Sequence, residues 1–221
     1  MNQAAPSTPL LVRTMSAQLC QHLRERILGG QYAGGAALLQ DQIAAEFGVS
    51  KIPVREALVQ LTAEGLVDTH AHRGFQVRAT SLAELDELFR LRALIEPEAV
   101  ARGARLADDE AQATARTALD ALDTAIRAGG VEAGSRNRAF HLALVVPPRQ
   151  PVMAEVLDRL LALSQRYVVR HLAVDGRARR ALDEHAELLA LWQAREIRRL
   201  KALVASHVRD TLADLRKGRI R

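Results

Sequence analysis

The chain of 221 residues is long enough for one large domain or two modest ones. A hydrophobic fraction of 48% excludes a disordered chain, and an aromatic fraction of only 3% favours helices over sheets. The formal charge of +5 permits a nucleic-acid partner but does not establish one, because the first 80 residues hold seven Lys or Arg against six Asp or Glu.

Cysteine content and hydropathy bear on the cellular compartment. Cys20 is the single cysteine, so the chain can form no intrachain disulfide. We find no apolar run long enough to cross a bilayer. The N-terminus also lacks the basic start and apolar core of a secretion signal. Together these features predict a cytoplasmic protein with no membrane partner.

The N-terminal residues predict an arm followed by a helix. Residues 1–15 contain two prolines among small polar residues, which is typical of a flexible arm. A first helix is predicted over about 16–28, where leucine and isoleucine recur every four residues. Gly29 and Gly30 end it.

A helix-turn-helix pattern follows in residues 41–64. A short helix over about 41–47 leads to Gly48, which takes a left-handed backbone freely and so makes the turn. Ser50 can cap the second helix, and Pro53 suits its first turn. Apolar side chains at helical spacing then carry this helix to about residue 64.

The N-terminal end of that second helix is the part of such a unit that enters the major groove. Lys51 and Arg55 are four residues apart and share a face, so either could reach a guanine or a phosphate. The Ile52 side chain could contact a thymine methyl. With Ser50, these residues are the candidate DNA-binding set of the helix.

Two short strands, over 66–70 and 75–78, flank the sequence AHRG and predict a β-wing. The tip of this wing carries His72, Arg73 and Gly74. A basic tip beside a glycine suits close approach to the phosphate backbone or the minor groove. The alternative is a plain three-helix core with basic side chains on its solvent face; the combined spacing, glycine turn, serine cap and wing argue against it.

The sequence KIPVREALVQLTAEGLV over 51–67, with RGFQV over 73–77, resembles the winged helix-turn-helix of the GntR family of bacterial transcriptional regulators. This resemblance implies that residues 16–79 bind double-stranded DNA. Many members have a DNA-contacting arginine early in the helix that begins near residue 41, whereas this chain has Asp41. That contact is therefore not expected, and the operator sequence can differ accordingly.

Residues 80–217 are predicted to be all-helical, and 218–221 form a short basic tail. Ser81 and Glu84 make a capping box before the first helix of the region. Glycine and proline sequences separate the helices. The predicted helices lie near 82–103, 108–128, 134–146, 151–173, 177–194 and 196–217.

Three histidines and an asparagine stand out in these helices. Asn137 and His141 are four residues apart, so they project from one face of a helix. His185 and His207 lie on later helices among apolar residues. A bundle that turned these faces inward would gather three imidazoles, and neutral imidazole commonly binds zinc and related ions. The alternative is that each histidine packs in the core with a hydrogen-bond partner.

The run from His185 to His207 resembles the FCD-type effector domain of the FadR subfamily of GntR regulators. The resemblance implies an antiparallel bundle around a cavity that often holds a divalent metal such as zinc or nickel. It implies His141, His185, His207 and Asn137 as the ligands. Asn137 offers a neutral oxygen where Asp is common, so we expect a lower metal affinity and room for an effector carboxylate.

Regulators of this type commonly sense small organic acids. A buried carboxylate needs a cation to offset its lost hydration, and the metal would be one. Arg92 is a candidate second cation, matching an arginine often present there in the family. Its alternative role, weighted equally, is an ion pair with Glu96 four residues later.

The sequence therefore predicts a mainly α fold, with an N-terminal winged helix-turn-helix and a C-terminal all-α antiparallel helical bundle. The expected function is a DNA-binding transcriptional repressor released by a small organic acid at a metal-containing cavity. We expect a homodimer, because two recognition helices one turn of B-DNA apart (~34 Å) can read a palindromic operator. The alternatives are a metal-dependent hydrolase or lyase and a winged-helix scaffold that binds only protein.

Overall fold

A computed structural model describes residues 15–70, 74–129, 132–172 and 177–217. Its fold is mainly α, as predicted. The helices are α1 (Met15–Leu28), α2 (Gln40–Phe47), α3 (Lys51–Ala63), α4 (Leu82–Leu106), α5 (Asp109–Arg127), α6 (Glu132–Ala143), α7 (Pro151–Leu172), α8 (Arg177–Gln193) and α9 (Ile197–Lys217). The strands are β1 (Ala37–Leu38), β2 (Val67–His70) and β3 (Gly74–Val77). Most of the predicted arm and the predicted basic tail lie outside the described residues, and Met15 belongs to α1.

The first three helices and the three strands form a winged helix-turn-helix. The sheet has the order β1-β3-β2 and is antiparallel, with Val67 opposite Val77 and Ala37 opposite Gln76. The sequence predicted β2 and β3; it missed β1, which is only two residues long. One apolar cluster joins the helices to the sheet, and among its members Leu23 and Leu58 are fully buried.

The turn between α2 and α3 is the one that the sequence predicted. Gly48 adopts φ 64° and ψ 32°, a left-handed conformation that glycine takes without a side-chain clash. Pro53 lies in the first turn of α3. Ser50 occupies the N-cap position with an extended backbone, but its side chain makes no capping hydrogen bond, so that part of the prediction is wrong.

Helices α4 to α9 form the predicted bundle. Helix α4 packs along α9 and against α7, and α5 packs against α6 and α8. Helix α6 ends at Ala143, three residues before its predicted end. The reason is Val146, which adopts φ 55° and precedes two prolines that have no backbone N–H to continue a helix. No helix within the described ranges combines the length and hydropathy that a membrane span needs.

The bundle and the winged helix meet along α7. Ser81 caps α4 by accepting a hydrogen bond from the Glu84 amide at 3.1 Å. The reciprocal half of the predicted capping box does not form, because the Ser81 amide instead donates to the Tyr167 hydroxyl at 3.2 Å. The Glu84 carboxylate pairs with Arg78 at 3.1 Å and also with Arg166. This carboxylate therefore ties the end of the wing to both α4 and α7.

Gly103 of α4 lies against the backbone of Leu144, the residue that follows α6. An alanine Cβ at this position would collide with the backbone carbonyl of Leu144. Replacing a glycine by alanine inside a helix normally stabilises it by roughly 0.5–1 kcal/mol. At Gly103 we expect the substitution to destabilise the protein, because the backbone atoms of α4 and Leu144 would have to move apart.

We predict that Gly103→Ala lowers the free energy of unfolding by about 1–3 kcal/mol, the usual cost of overpacking. Urea unfolding measures it. Arg102→Ala is the control, since Arg102 is exposed one residue earlier in the same helix and should change stability little. A stabilised Gly103→Ala protein would contradict the close packing of α4 on Leu144.

Candidate DNA-binding surface and internal histidine site

The N-terminal end of α3 presents the candidate DNA-binding side chains to solvent. Ser50, Lys51, Ile52 and Arg55 are all exposed, and Ile52 is 71% exposed although it is apolar. The opposite face of α3 is buried through Val54, Ala57, Leu58 and Leu61. The hydrophobic spacing of the helix thus leaves a mixed basic and apolar face available to a partner.

Lys51 forms an ion pair on this surface. Its ammonium lies 2.5 Å from a carboxylate oxygen of Asp41 at the start of α2, and both side chains are mostly exposed. An exposed pair of this kind contributes little to stability. It does reduce the positive charge that the end of α3 offers to a phosphate. The unusual Asp41 is therefore in contact with a predicted DNA-binding residue.

The wing is described only in part. Gly74 begins β3, is exposed and has φ 75°. The predicted DNA-binding residues His72 and Arg73 lie outside the described residues. A glycine at such a φ is favoured over residues that carry a Cβ.

The structure brings the three predicted histidines together inside the bundle. His141 of α6, His185 of α8 and His207 of α9 are 1%, 1% and 7% exposed. Their ring centroids are 4.8–5.3 Å apart. Each ring offers one nitrogen that lies within 4.8 Å of the corresponding nitrogens of the other two. Such spacing suits three ligands of a single ion.

Carboxylates orient two of the three rings. Nδ1 of His141 lies 2.6 Å from Oε1 of Glu96, and Nδ1 of His207 lies 2.6 Å from Oε2 of Glu184. The Glu184 contact is a hydrogen bond, and a carboxylate that accepts the Nδ1–H of an imidazole fixes its tautomer and leaves Nε2 with a free lone pair. The Glu96 contact is a close approach of charges, because Oε1 of Glu96 makes no hydrogen bond within the described residues. Nε2 of His141 is buried and has no hydrogen-bond partner among the described residues.

His185 does not fit the alternative interpretation, in which each histidine packs in the core with a hydrogen-bond partner. Both of its ring nitrogens are buried, and neither has a hydrogen-bond partner in the described part of the chain. Buried polar atoms normally have a hydrogen-bond partner, so the two unpaired nitrogens of this ring indicate a ligand-binding role. Burial, followed by the proximity of His207 and His141, holds the pKa of His185 well below its ordinary value. The ring is therefore neutral near pH 7, the form that coordinates metals.

Glu96 is the residue that the sequence analysis did not place at the site. It is fully buried, and its Oε2 accepts a hydrogen bond from Nε of Arg92 at 3.0 Å. Burial alone would raise the pKa of Glu96, but the Arg92 charge, with a contribution from His141, holds it well below its usual range. The pairing of Arg92 with Glu96, one of its two predicted roles, is thus observed.

The spacing of Arg92 and Glu96 was visible in the sequence, but the contact to His141 was not. Glu96 and His141 are 45 positions apart on different helices, so only the three-dimensional structure reveals their contact. Glu184 likewise precedes His185 in sequence yet contacts His207 on the neighbouring helix. Contacts between side chains of different helices cannot be predicted from the residue spacing within one helix.

A small cavity adjoins the histidines. It measures about 30 Å³, and the residues that line it include Arg92, Asn137, His185 and His207. Asn137 is 6% exposed and lies one turn before His141, as its spacing predicted. A space of this size holds about one or two water molecules. It can therefore accept an ion and one small polar group, but not a large ligand.

Comparison with known proteins places the chain in a family. The profile described as "Bacterial regulatory proteins, gntR family" matches residues 15–77, and the FCD domain profile matches residues 87–210. The HTH-type transcriptional regulator BphR of Paraburkholderia xenovorans is 30% identical over 97% of this chain and 90% of its own length. The chain belongs to the GntR family and carries an FCD domain.

Further relatives of this GntR regulator agree with that assignment. The HTH-type transcriptional repressor GlaR of Escherichia coli is 30% identical over 84% of this chain and 89% of its own. The solved structure of E. coli McbR/YncC has the same fold, with a TM-score of 0.75 at 24% identity over 93% and 98% of the two chains. These relatives are transcriptional regulators, so the hydrolase or lyase alternative is set aside.

We predict that Glu96→Ala destabilises this GntR regulator by about 3–5 kcal/mol, because it leaves a buried guanidinium without its counter-charge. Urea unfolding of the metal-free protein measures the change. The double variant Arg92→Met with Glu96→Leu removes both charges at similar volume and should recover much of that loss. Equal stabilities of the single and double variants would show that Glu96 does not serve to balance Arg92.

Proposed function

We propose that this GntR regulator is a ligand-responsive repressor, released from a palindromic operator when a small organic acid binds at a divalent metal in the bundle. The observation that supports it most is the buried group of His141, His185 and His207. Unpartnered imidazole nitrogens in a core are costly unless something coordinates them. A bound ion would remove that cost.

The residues suit zinc or nickel. Nε2 of His141, Nε2 of His207, one nitrogen of His185 and the side-chain oxygen of Asn137 would hold the ion. Three imidazoles and one oxygen are a usual donor set for these metals. Glu96 and Glu184 supply the carboxylates that commonly support metal-bound histidines. The bound ion would contribute a positive charge that attracts the carboxylate of an effector.

The DNA-binding part of the proposal rests on the exposed end of α3. Ser50, Lys51, Ile52 and Arg55 would face the major groove, and the wing with His72, Arg73 and Gly74 would approach the backbone. Residues 16–79 would act as the DNA-binding domain and 80–217 as the effector domain. A homodimer would place two such surfaces on a palindrome.

Helices α4 and α7 offer a route between the two sites. Helix α4 carries Glu84 at the wing and Glu96 at the histidines. Helix α7 carries Arg166 at the wing and Val168 beside the cavity. An effector acts only through unequal affinity for the DNA-competent and DNA-incompetent arrangements. We propose that a shift of these helices distinguishes the two arrangements.

Repression is the proposed mode because the similar protein GlaR is named a repressor. The corresponding proposal for localisation is the bacterial cytoplasm, since a protein that binds operator DNA works where that DNA lies.

We predict that purified protein dialysed against zinc retains about one ion per chain and that His185→Ala retains much less. Elemental analysis measures the content. Added zinc should raise the Tm of the unaltered protein, because an ion that binds the native state stabilises that state against unfolding. It should leave the Tm of His185→Ala unchanged, because that variant lacks one of the proposed ligands. His22→Ala is the control, since His22 lies on α1 against Phe47, away from the cluster. An unaltered protein that retains no zinc or nickel would overturn the metal site.

We predict that Arg55→Ala weakens operator binding about 10-fold or more, the usual value of one base-reading arginine at roughly 1–3 kcal/mol. Asp41→Asn should strengthen binding and steepen its salt dependence, because it releases Lys51 for a phosphate. Fluorescence anisotropy across a salt series measures both.

The control for these DNA measurements is Arg127→Ala, at the exposed end of α5. Circular dichroism verifies that each variant is folded. Unchanged affinity in a folded Arg55→Ala protein would show that Arg55 does not read the operator. Absence of operator binding by the unaltered protein would favour the scaffold alternative, in which the winged helix binds only protein.

A further inference from the structure

One side of α4 faces solvent along most of the helix. Between residues 83 and 105 its exposed side chains recur every three or four residues, so they form a single line. The rest of α4 packs against α7, α8 and α9. We call the exposed line the α4 stripe, and its members are Ala83, Glu87, Arg90, Leu94, Glu98, Arg102 and Arg105.

The middle of the α4 stripe is apolar. Leu94 is 68% exposed, and Leu91 and Ile95 beside it are only partly buried. On the neighbouring helix α9, Ala202 is exposed and Ala205 is half-buried. Single exposed leucines are common on protein surfaces, so this patch alone does not identify a partner.

The charges on the two sides of Leu94 do identify one, because they have opposite signs at equal distances. Arg90 lies four residues before Leu94, and Glu98 lies four residues after it. Both are exposed, although Glu98 also pairs with Lys201 of α9. If a second copy of α4 lay antiparallel on the first, with Leu94 on Leu94, Arg90 of each copy would face Glu98 of the other. The two-fold symmetry would form this contact twice.

The outer positions of the α4 stripe also fit an antiparallel pair. Ala83 and Arg105 are each eleven residues from Leu94, so a small neutral side chain would face a cation. Glu87 of one copy would come near Arg102 of the other, and an exposed pair of that kind contributes little to stability. No position of the stripe would then face its own charge.

A parallel pair of helices would place each side chain opposite its own copy. Arg90 would face Arg90, and Glu98 would face Glu98. Like charges that are directly opposed repel each other. The order of charges therefore selects the antiparallel arrangement.

An antiparallel pair would also separate the two DNA-binding domains. Each domain joins its α4 at Ser81, which lies thirteen residues before Leu94. At 1.5 Å per residue, the two copies of Ser81 would be about 39 Å apart along the helix axis. Successive major-groove half-sites on one face of B-DNA lie roughly 34 Å apart. The two distances are similar, as a dimer that reads a palindrome requires.

We propose that two copies of this regulator associate through the α4 stripe, packed antiparallel about a two-fold axis at Leu94. This inference rests on the proposed function, which requires a homodimer but does not assign the face that joins its copies. The partner is a second copy of this chain, because the order of charges in the stripe is complementary to itself.

Cross-linking of introduced thiols tests the contact directly. The native Cys20 is buried, and burial raises the pKa of its thiol to about 11, so this thiol is unreactive. Leu94→Cys places an exposed thiol on the proposed axis, and oxidation by diamide should convert most chains to covalent dimers. Leu82→Cys is the matched control: Leu82 is 55% exposed on the same helix, but its two copies would lie about 36 Å apart and should not link.

A second pair of thiol variants tests the direction of packing. Arg90→Cys alone and Glu98→Cys alone should not cross-link, because like positions would lie about 12 Å apart along the helix axis. A mixture of the two variants should link one chain to the other. Links within each variant alone, and none specific to the mixture, would show a parallel pair and overturn the proposed arrangement.

Sedimentation equilibrium of the full chain measures the same contact without cross-linking. Leu94→Glu should raise the Kd of the dimer about 100-fold or more, because it removes two buried leucines and opposes two carboxylates at the axis. Leu82→Glu should leave the Kd within about 3-fold. Circular dichroism verifies that both variants are folded.

The outcomes separate this inference from the proposed function. An unaltered protein that stays monomeric with and without operator DNA would overturn the homodimer itself and leave the stripe to a different partner. A dimeric protein that Leu94→Cys does not link, or whose Kd Leu94→Glu leaves unchanged, would overturn only the assignment to α4.

Discussion

The burial of charge at the centre of the bundle constrains the rest of this structure. A carboxylate without water is tolerated only with compensating partners, and Glu96 has two, Arg92 and His141. The contact of Glu96 with His141 joins α4 to α6, and the lack of a side chain at Gly103 lets the backbone of Leu144 lie close to α4. The Glu96 contact also aims His141 at the point where His185 and His207 converge, so the stability of the bundle and the geometry of its site have one origin.

The same helices that hold the site also hold the DNA-binding domain. At its N-terminal end α4 shares Glu84 with Arg78 of the wing and Arg166 of α7. A change in the spacing of α4 and α7 would therefore reach the wing without passing through a flexible linker. This continuity is what the proposed coupling between the bundle and the DNA-binding domain requires.

The sequence predicted the features that depend on local chemistry. The turn at Gly48, the exposed face of Lys51 and Arg55, and the approximate positions of the helices followed from glycine geometry and apolar spacing. It did not predict contacts set by tertiary packing, such as Glu96 with His141. It failed at Ser81, where half of an expected local motif was replaced by Tyr167. Side chains with several possible partners were the least predictable, because packing alone selects among them.

The single tryptophan of the chain is an intrinsic fluorescence probe. Trp192 is fully buried, and its indole N–H donates to the Leu144 carbonyl at 2.9 Å. Leu144 directly follows the helix that carries Asn137 and His141. Any movement of that helix would alter the hydrogen bond and with it the emission wavelength of the indole. Events at the centre of the bundle can thus be followed by intrinsic fluorescence without attaching a dye.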